Sequence, residues 1–280
     1  MNNCRRAGLY VLVALFCALL MSFSCAASEI SGEPVDLYIN DTPVTGAKLI
    51  AGTAYAPYRT LVSAIEPTVT YAWDNDIRAS VAYGNGITIK AFSNEHYLEV
   101  NGRVVFSKLA KNLNVDGALY VPIRSVATAY GMSCEWKGAE KTVYVKGTLT
   151  PMVSGDEFYD SDVVYWLSRI ISAESRGEPF LGQIAVGNVI LNRTDDGSFP
   201  NTVYGVIFDK KHGTQFTPAA TGSVYNEPTA SAVLAAKAVL EGVNVVDNAL
   251  FFCAKRVSKG SWMDNNREYI ETIGNHVFYY

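Results

Sequence analysis

The sequence predicts an α+β protein of two domains: a β-rich N-terminal domain built from an internal repeat, and a mostly helical C-terminal domain with a small β element at its end. Three observations carry this. Tyr55-Ala56-Pro57-Tyr58-Arg59 recurs 65 residues later as Tyr120-Val121-Pro122-Ile123-Arg124. Strand-like alternation gives way to helical periodicity near residue 150. The tail then returns to strand-like runs, Ala249-Leu250-Phe251-Phe252 and His276-Val277-Phe278-Tyr279. A length of 280 residues suits two domains of moderate size.

Residues 1–27 read as a leader rather than as part of the fold. Arg5 and Arg6 form a positive start, Leu9 to Met21 is apolar, and Ser24 to Ala27 are small residues of the kind a signal peptidase accepts. The apolar run is too short for a comfortable permanent anchor, so no stable membrane insertion is expected once it is removed. Cys25 lacks the leucine-type residue before it that lipidation requires. Losing Arg5 and Arg6 leaves 27 acidic residues in place and moves the net charge from −4 to −6. An acidic chain of this kind is a poor nucleic-acid partner, and bulk charge does not draw it to a polyanionic wall. Of five cysteines, only Cys134 and Cys253 remain, far apart, so no disulfide framework is expected.

The repeat spans residues 35–147 of the domain placed at 28–150. Each copy opens with a strand and an Asn-containing turn, Ile39-Asn40-Asp41 and Val100-Asn101-Gly102. A short helix follows each Tyr-x-Pro-x-Arg motif, then a Trp (Trp73, Trp136), then a closing strand, Ala79 to Tyr83 and Thr142 to Val145. Two such units close a core that neither buries alone. This half resembles the copper amine oxidase N-terminal-like domain of secreted bacterial proteins. The resemblance implies no copper here, because His96 is its one histidine and no metal-ligand spacing exists. It implies either a spacer or a module that binds wall or sugar.

Residues 148–160 form a polar joint, and the second domain is placed at 151–280. Asp160, Ser161 and Asp162 supply capping groups for a helix whose stripe is Val163, Val164, Leu167, Ile170 and Ile171. Gly177-Glu178-Pro179 ends it. A buried helix is expected from about Phe180 to Arg193, and a third from about Pro228 to Glu241 before Gly242.

Glu174 is the residue out of place. With Val163 at zero, the stripe centres at about 40° and Glu174 falls at about 20°, inside it. A carboxyl on a buried helix face is paired, neutralised or functional. Desolvation raises its pKa, which suits a general acid near neutral pH. The structural alternative is a buried Glu bonded to Asn188 or Asn192.

Ser172-Ala173-Glu174-Ser175-Arg176-Gly177-Glu178-Pro179, Gly182-Gln183-Ile184-Ala185-Val186 and Leu191-Asn192-Arg193 resemble the SleB-type cell wall hydrolases, the spore-cortex-lytic enzymes. The likeness continues through Phe199-Pro200-Asn201-Thr202-Val203, Gln215-Phe216-Thr217-Pro218, Ala249-Leu250-Phe251-Phe252 and Ile273-Gly274-Asn275-His276-Val277-Phe278. It implies a lysozyme-like catalytic core, peptidoglycan glycan strands as partner, and the first Glu of Glu-x-Arg-Gly-Glu-Pro, here Glu174, as catalytic acid. Two places depart from the family. Cys253-Ala254 stands where Asn-Pro is usual, and Lys210 to Gly213 form a variant loop.

Ordinary glycoside hydrolysis uses two carboxyls about 5 to 10 Å apart. Glu178 is expected to cap the next helix, and Asp195, Asp196 and Asp209 to be solvated. One acid fits a lytic transglycosylase, which releases a 1,6-anhydro sugar and consumes no water; a hydrolytic muramidase and a non-catalytic wall-binding protein are the alternatives. Gln215, Phe216, Thr217, Tyr225 and Trp262 are candidate substrate-binding residues, since amides and hydroxyls suit N-acetyl groups and aromatic faces suit sugar rings. Cys253 and His276 could instead form a Cys–His pair for peptide cleavage. No metal or cofactor is called for. The exported protein is expected in the cell wall or spore cortex with Ser28 near its N-terminus. N-terminal sequencing of exported protein checks this, and an intact Met1 contradicts it.

Overall fold

Two turns with left-handed backbone set the first strands. Asn40 and Asp41 have φ of 46° and 66°, and Asn101 and Gly102 have 50° and 77°, the pairing a two-residue hairpin needs. They join Asp36–Ile39 to Thr42–Val44, and Tyr97–Val100 to Arg103–Phe106, as the sequence predicts. The protein is seen here as a computed structural model describing residues 31–211 and 215–280. The expected leader lies outside the described residues, as do His212 and Gly213 of the variant loop.

The Tyr-x-Pro segments form the strands Thr53–Pro57 and Ala118–Pro122, and these pair with each other antiparallel, Ala56 opposite Val121. The two copies therefore meet across an approximate twofold axis. Pro57 and Pro122, with φ near −57° and −58°, pre-set the backbone entering the helices α1 (Tyr58–Ile65) and α2 (Ile123–Ala129). The copies also exchange strands. Thr142–Lys146 of the second runs parallel to Asp36–Ile39 of the first. Tyr97–Val100 of the second joins Thr88–Phe92 of the first, antiparallel. Leu61, Val62, Ile123 and Val126 from the two helices share one core with Leu37, Ile89 and Val143.

Beyond the joint come α3 (Gly155–Phe158), α4 (Ser161–Ser175), α5 (Phe180–Asp195), α6 (Val203–Phe208), α7 (Thr217–Thr221) and α8 (Ala230–Leu240). The Asp160 carboxylate caps α4 by accepting from the N–H groups of Asp162 and Val163. The third expected helix starts two residues later than Pro228, because the Thr229 hydroxyl caps it by accepting from Ala232 N–H. Leu167, Ile170 and Ile171 of α4, Ile184 and Val189 of α5, and Ala235 and Val239 of α8 form the core of this part. After α9 (Lys255–Ser258) and α10 (Trp262–Asn266), the chain closes on a three-stranded sheet. His276–Tyr279 runs in its middle, between Phe251–Ala254 and Tyr269–Ile273. The last of these strands is absent from the sequence reading. No described helix is long and apolar enough to cross a membrane.

The β-rich and helical parts share apolar contacts. Tyr97 and Val104 belong to the helical core, and the Tyr97 ring lies 5.1 Å from that of Phe180. Beside them Arg103 donates from Nε and Nη2 to the two oxygens of Glu241, at 2.8 and 2.7 Å. Both side chains are only 12% exposed. Tyr159 donates to the same carboxylate, and Lys237 Nζ to the carbonyl of Gly102. Removing one member of such a pair strands the other in a dry place. Arg103→Ala and Glu241→Ala should each lower the free energy of unfolding by about 3 kcal/mol, and together by clearly less than the sum. Urea unfolding checks this, and strictly additive losses would show the pair to be uncoupled.

Candidate active site

Glu174 sits one residue from the end of α4, half-buried beside Ile170 and Ile171. No hydrogen bond or ion pair joins its carboxyl to any described residue. Asn188 and Asn192 are engaged elsewhere. Asn188 donates to Val243 O and accepts from Val245 N–H, and Asn192 donates to Asp247 O and Ala249 O. The structural alternative for Glu174 is thereby removed. Burial without compensation pushes its pKa from 4.5 up to about 6.

The same asparagines explain why α5 carries polar residues on a buried helix. With Arg193 they hold the 243–250 loop and the entry to the strand Phe251–Ala254. The Arg193 side chain, 5% exposed, donates from Nε to Leu250 O at 2.7 Å and from Nη1 to Gln215 Oε1 at 3.4 Å. Its guanidinium lies 4.8, 5.3 and 5.4 Å from the ring centroids of Phe199, Phe216 and Phe251. Burial brings its pKa down to about 10, against the opposing attraction of Asp209.

Glu178 does not cap the next helix, whose N-cap Pro179 has no side-chain bond. Its carboxylate reaches 97 residues along the chain, accepting from Asn275 N–H at 2.7 Å and from Asn275 Nδ2 at 3.2 Å. Asn275 and Gly274 form the two-residue turn between the last two strands, with Gly274 at φ +59°. A Cβ on Gly274 would fall on the Glu178 carboxylate and the Pro179 ring, so only glycine fits there.

The Cys253–His276 pairing fails on sheet geometry. Cys253 lies opposite Val277, and Ala254 opposite His276. Alternate residues of a strand point to opposite faces, so the thiol and the imidazole are on different sides of the sheet. His276 packs instead with Phe252 and Phe278. Burial also pushes the Cys253 thiol up, the wrong direction for a nucleophile.

The candidate binding residues fall into separate groups. Gln215 meets Arg193. Phe216 is 2% exposed and packs on Phe252, so its ring belongs to the core and offers no face to a sugar. Thr217 is exposed at the start of α7. Trp262 is 61% exposed, with the Arg267 guanidinium 5.3 Å from its ring, and Arg267 also lies 4.1 Å from Phe251. Tyr225 is 57% exposed and belongs to another cluster, in which Trp166 meets Tyr204, Phe208 and Tyr225 edge-on. Asp195 is exposed, and Asp196 accepts from Ser198 N–H in a turn. Asp209 is not simply solvated. One oxygen accepts from Lys211 N–H, while the other is buried with no partner among the described residues. Sequence reasoning missed Arg193, although a lone cation near the end of an apolar helix marks it. Among the described residues, no three of His, Cys, Asp and Glu gather as a metal ion requires.

Glu174 holds its proton in the folded chain at pH values where the unfolded chain has lost it. Stability therefore falls as pH rises from about 4.5 to about 6, and stays lower above. Glu174→Gln should be the more stable protein at pH 8, by at most about 2 kcal/mol, with the difference gone by about pH 4. Urea unfolding at the two pH values tests this; an equal or larger gap at the lower pH would contradict it.

The comparisons with known proteins agree with the two halves. The family model described as Cell Wall Hydrolase matches residues 177–279, starting three residues after Glu174, and the Copper amine oxidase N-terminal domain model matches 37–145. The chain is 30% identical over 234 residues to a spore cortex-lytic enzyme of Bacillus cereus, covering 70% of this chain and 87% of the relative. To a spore cortex-lytic enzyme of Oceanobacillus iheyensis it is 36% identical over 132 residues, 46% of this chain and 45% of the relative. Among solved structures it resembles the catalytic domain of the germination-specific lytic transglycosylase SleB from Bacillus anthracis, with 38% identity and a TM-score of 0.40, over 44% of this chain and 97% of that one. The chain belongs to the spore cortex-lytic enzyme family of SleB-type cell wall hydrolases.

Proposed function

We propose that the chain is a secreted lytic transglycosylase that cuts peptidoglycan glycan strands next to N-acetylmuramic acid, with Glu174 as its one acid–base group. The observation that carries this is the half-buried Glu174 carboxyl, which has no partner among the described residues and a pKa raised to about 6. Such a group holds its proton in a usable fraction of molecules at mildly acidic to neutral pH and can give it up at little cost. Protonated Glu174 donates to the glycosidic oxygen as the bond from that oxygen to muramic C1 breaks. The carboxylate then takes the proton of the C6 hydroxyl, whose oxygen closes on C1. The acid is regenerated, the product is a 1,6-anhydro sugar, and no water is consumed.

The other carboxylates support the single-acid reading unequally. Glu178 is committed to the Asn275 turn. Asp209, with one buried oxygen that has no partner among the described residues, is the group that favours hydrolysis as a second reading. By the names of its relatives, spore cortex is the first substrate to test.

Glu174→Gln keeps the shape and removes the transferable proton, so turbidity clearance of peptidoglycan should fall by about 10³- to 10⁴-fold. Glu178→Gln still offers one oxygen to Asn275 and should retain most activity. Near wild-type clearance by folded Glu174→Gln would overturn the assignment. Mass spectrometry of the released fragments should find 1,6-anhydromuramic ends. Reducing ends would make water the acceptor, and Asp209→Asn the next variant to assay.

A further inference from the structure

The internal repeat makes two grooves, each assembled from both copies. In the first, Pro57, Arg59 and Trp73 of one copy face Leu119 of the other. In the second, Pro122, Arg124 and Trp136 face Ala54. Each side chain lies 65 residues from its counterpart, except the tryptophans, which are 63 apart. The hollows hold about 520 and 710 Å³. Both indoles are large apolar surfaces left open, 57% exposed at Trp73 and 38% at Trp136.

The arginines are the second observation. Arg59 and Arg124 are exposed in the first turns of α1 and α2, where aligned peptide dipoles disfavour a cation. Neither pairs with an acid among the described residues; Arg59 rests over the Tyr71 ring instead. Neither helix end favours a cation there, yet an arginine occurs in the same place twice. An indole face beside an unpaired guanidinium is a surface for a sugar ring that carries an acidic group.

Each groove has a neighbour in the helical part. The second is bordered by Glu241 and Val243, just beyond α8. Trp73 of the first also lines a neighbouring hollow with Ala230, Val233 and Lys237 of α8 itself. We propose that these two quasi-equivalent grooves are binding sites for one peptidoglycan strand, stacking its sugar rings on Trp73 and Trp136 and pairing its carboxylates with Arg59 and Arg124. The choice of polymer rests on the activity proposed above. Two sites on one shared core bind a strand bivalently, so weak single sites suffice, and the local cations hold a polyanion that the chain's net negative charge repels.

The test is co-sedimentation of the whole chain with insoluble peptidoglycan, in a Glu174→Gln background and with chitin as the neutral amino-sugar control. Retention is scored rather than cutting, so failure of the Glu174 mechanism leaves the result readable. Peptidoglycan should retain the protein better than chitin, and less as salt rises. Trp73→Ala with Trp136→Ala should weaken retention at least about tenfold, and Phe at both positions should restore most of it. Arg59→Gln with Arg124→Gln should remove the preference over chitin. Unfolding midpoints matching the parent protein show that each variant is folded. Undiminished retention of the double Trp variant, or equal retention on chitin, overturns the proposal.

Discussion

A guanidinium buried under three phenylalanine rings holds the helical part together. Arg193 has lost most of its water, so every donor it can place must find an acceptor. It finds them in the Leu250 carbonyl, Gln215 and the charge of Asp209, and so joins α5 to the final sheet and to the segment that carries α7. Asn188 and Asn192 extend the same seam along the 243–250 loop. Glu178 closes the opposite edge through the Asn275 turn. The family's polar motif residues on α5 and around it are thus chiefly a frame.

Beside the bonded side chains of Asn188, Asn192 and Arg193, the Glu174 carboxyl stands apart. Asn188 and Asn192 of α5 are hydrogen-bonded across 55 residues or more of sequence, while the Glu174 carboxyl is bonded to no described residue. A buried polar group without a partner weakens the fold, and proteins retain such groups where chemistry needs them. The raised pKa and the loss of stability above pH 6 have one cause, the desolvation of this carboxyl.

Local signals carried well from sequence to structure. The Asn40-Asp41 and Asn101-Gly102 turns, the helices after Pro57 and Pro122, the Asp160 cap and the displaced Glu174 all depend on neighbours in sequence. What pattern could not supply was pairing at long range. Nothing in the repeat shows that Ala56 lies against Val121, or that each copy lends strands to the other. Glu178 looks like a helix-capping acid until Asn275 arrives from 97 residues away. Phe216 looks like a cleft aromatic until the sheet covers it with Phe252. Cys253 and His276 look like a pair on neighbouring strands, and the pleat sets them on opposite faces.

The pH at which Glu174 gives up its proton in the free enzyme decides whether it can act as the acid. Carbon NMR of the Glu174 side-chain carboxyl, assigned by comparison with Glu174→Gln, follows that titration directly. A midpoint near 6 is the result this structure requires. A midpoint at the ordinary 4.5 would mean that water or a partner reaches the carboxylate, and that it is not the poised acid described here.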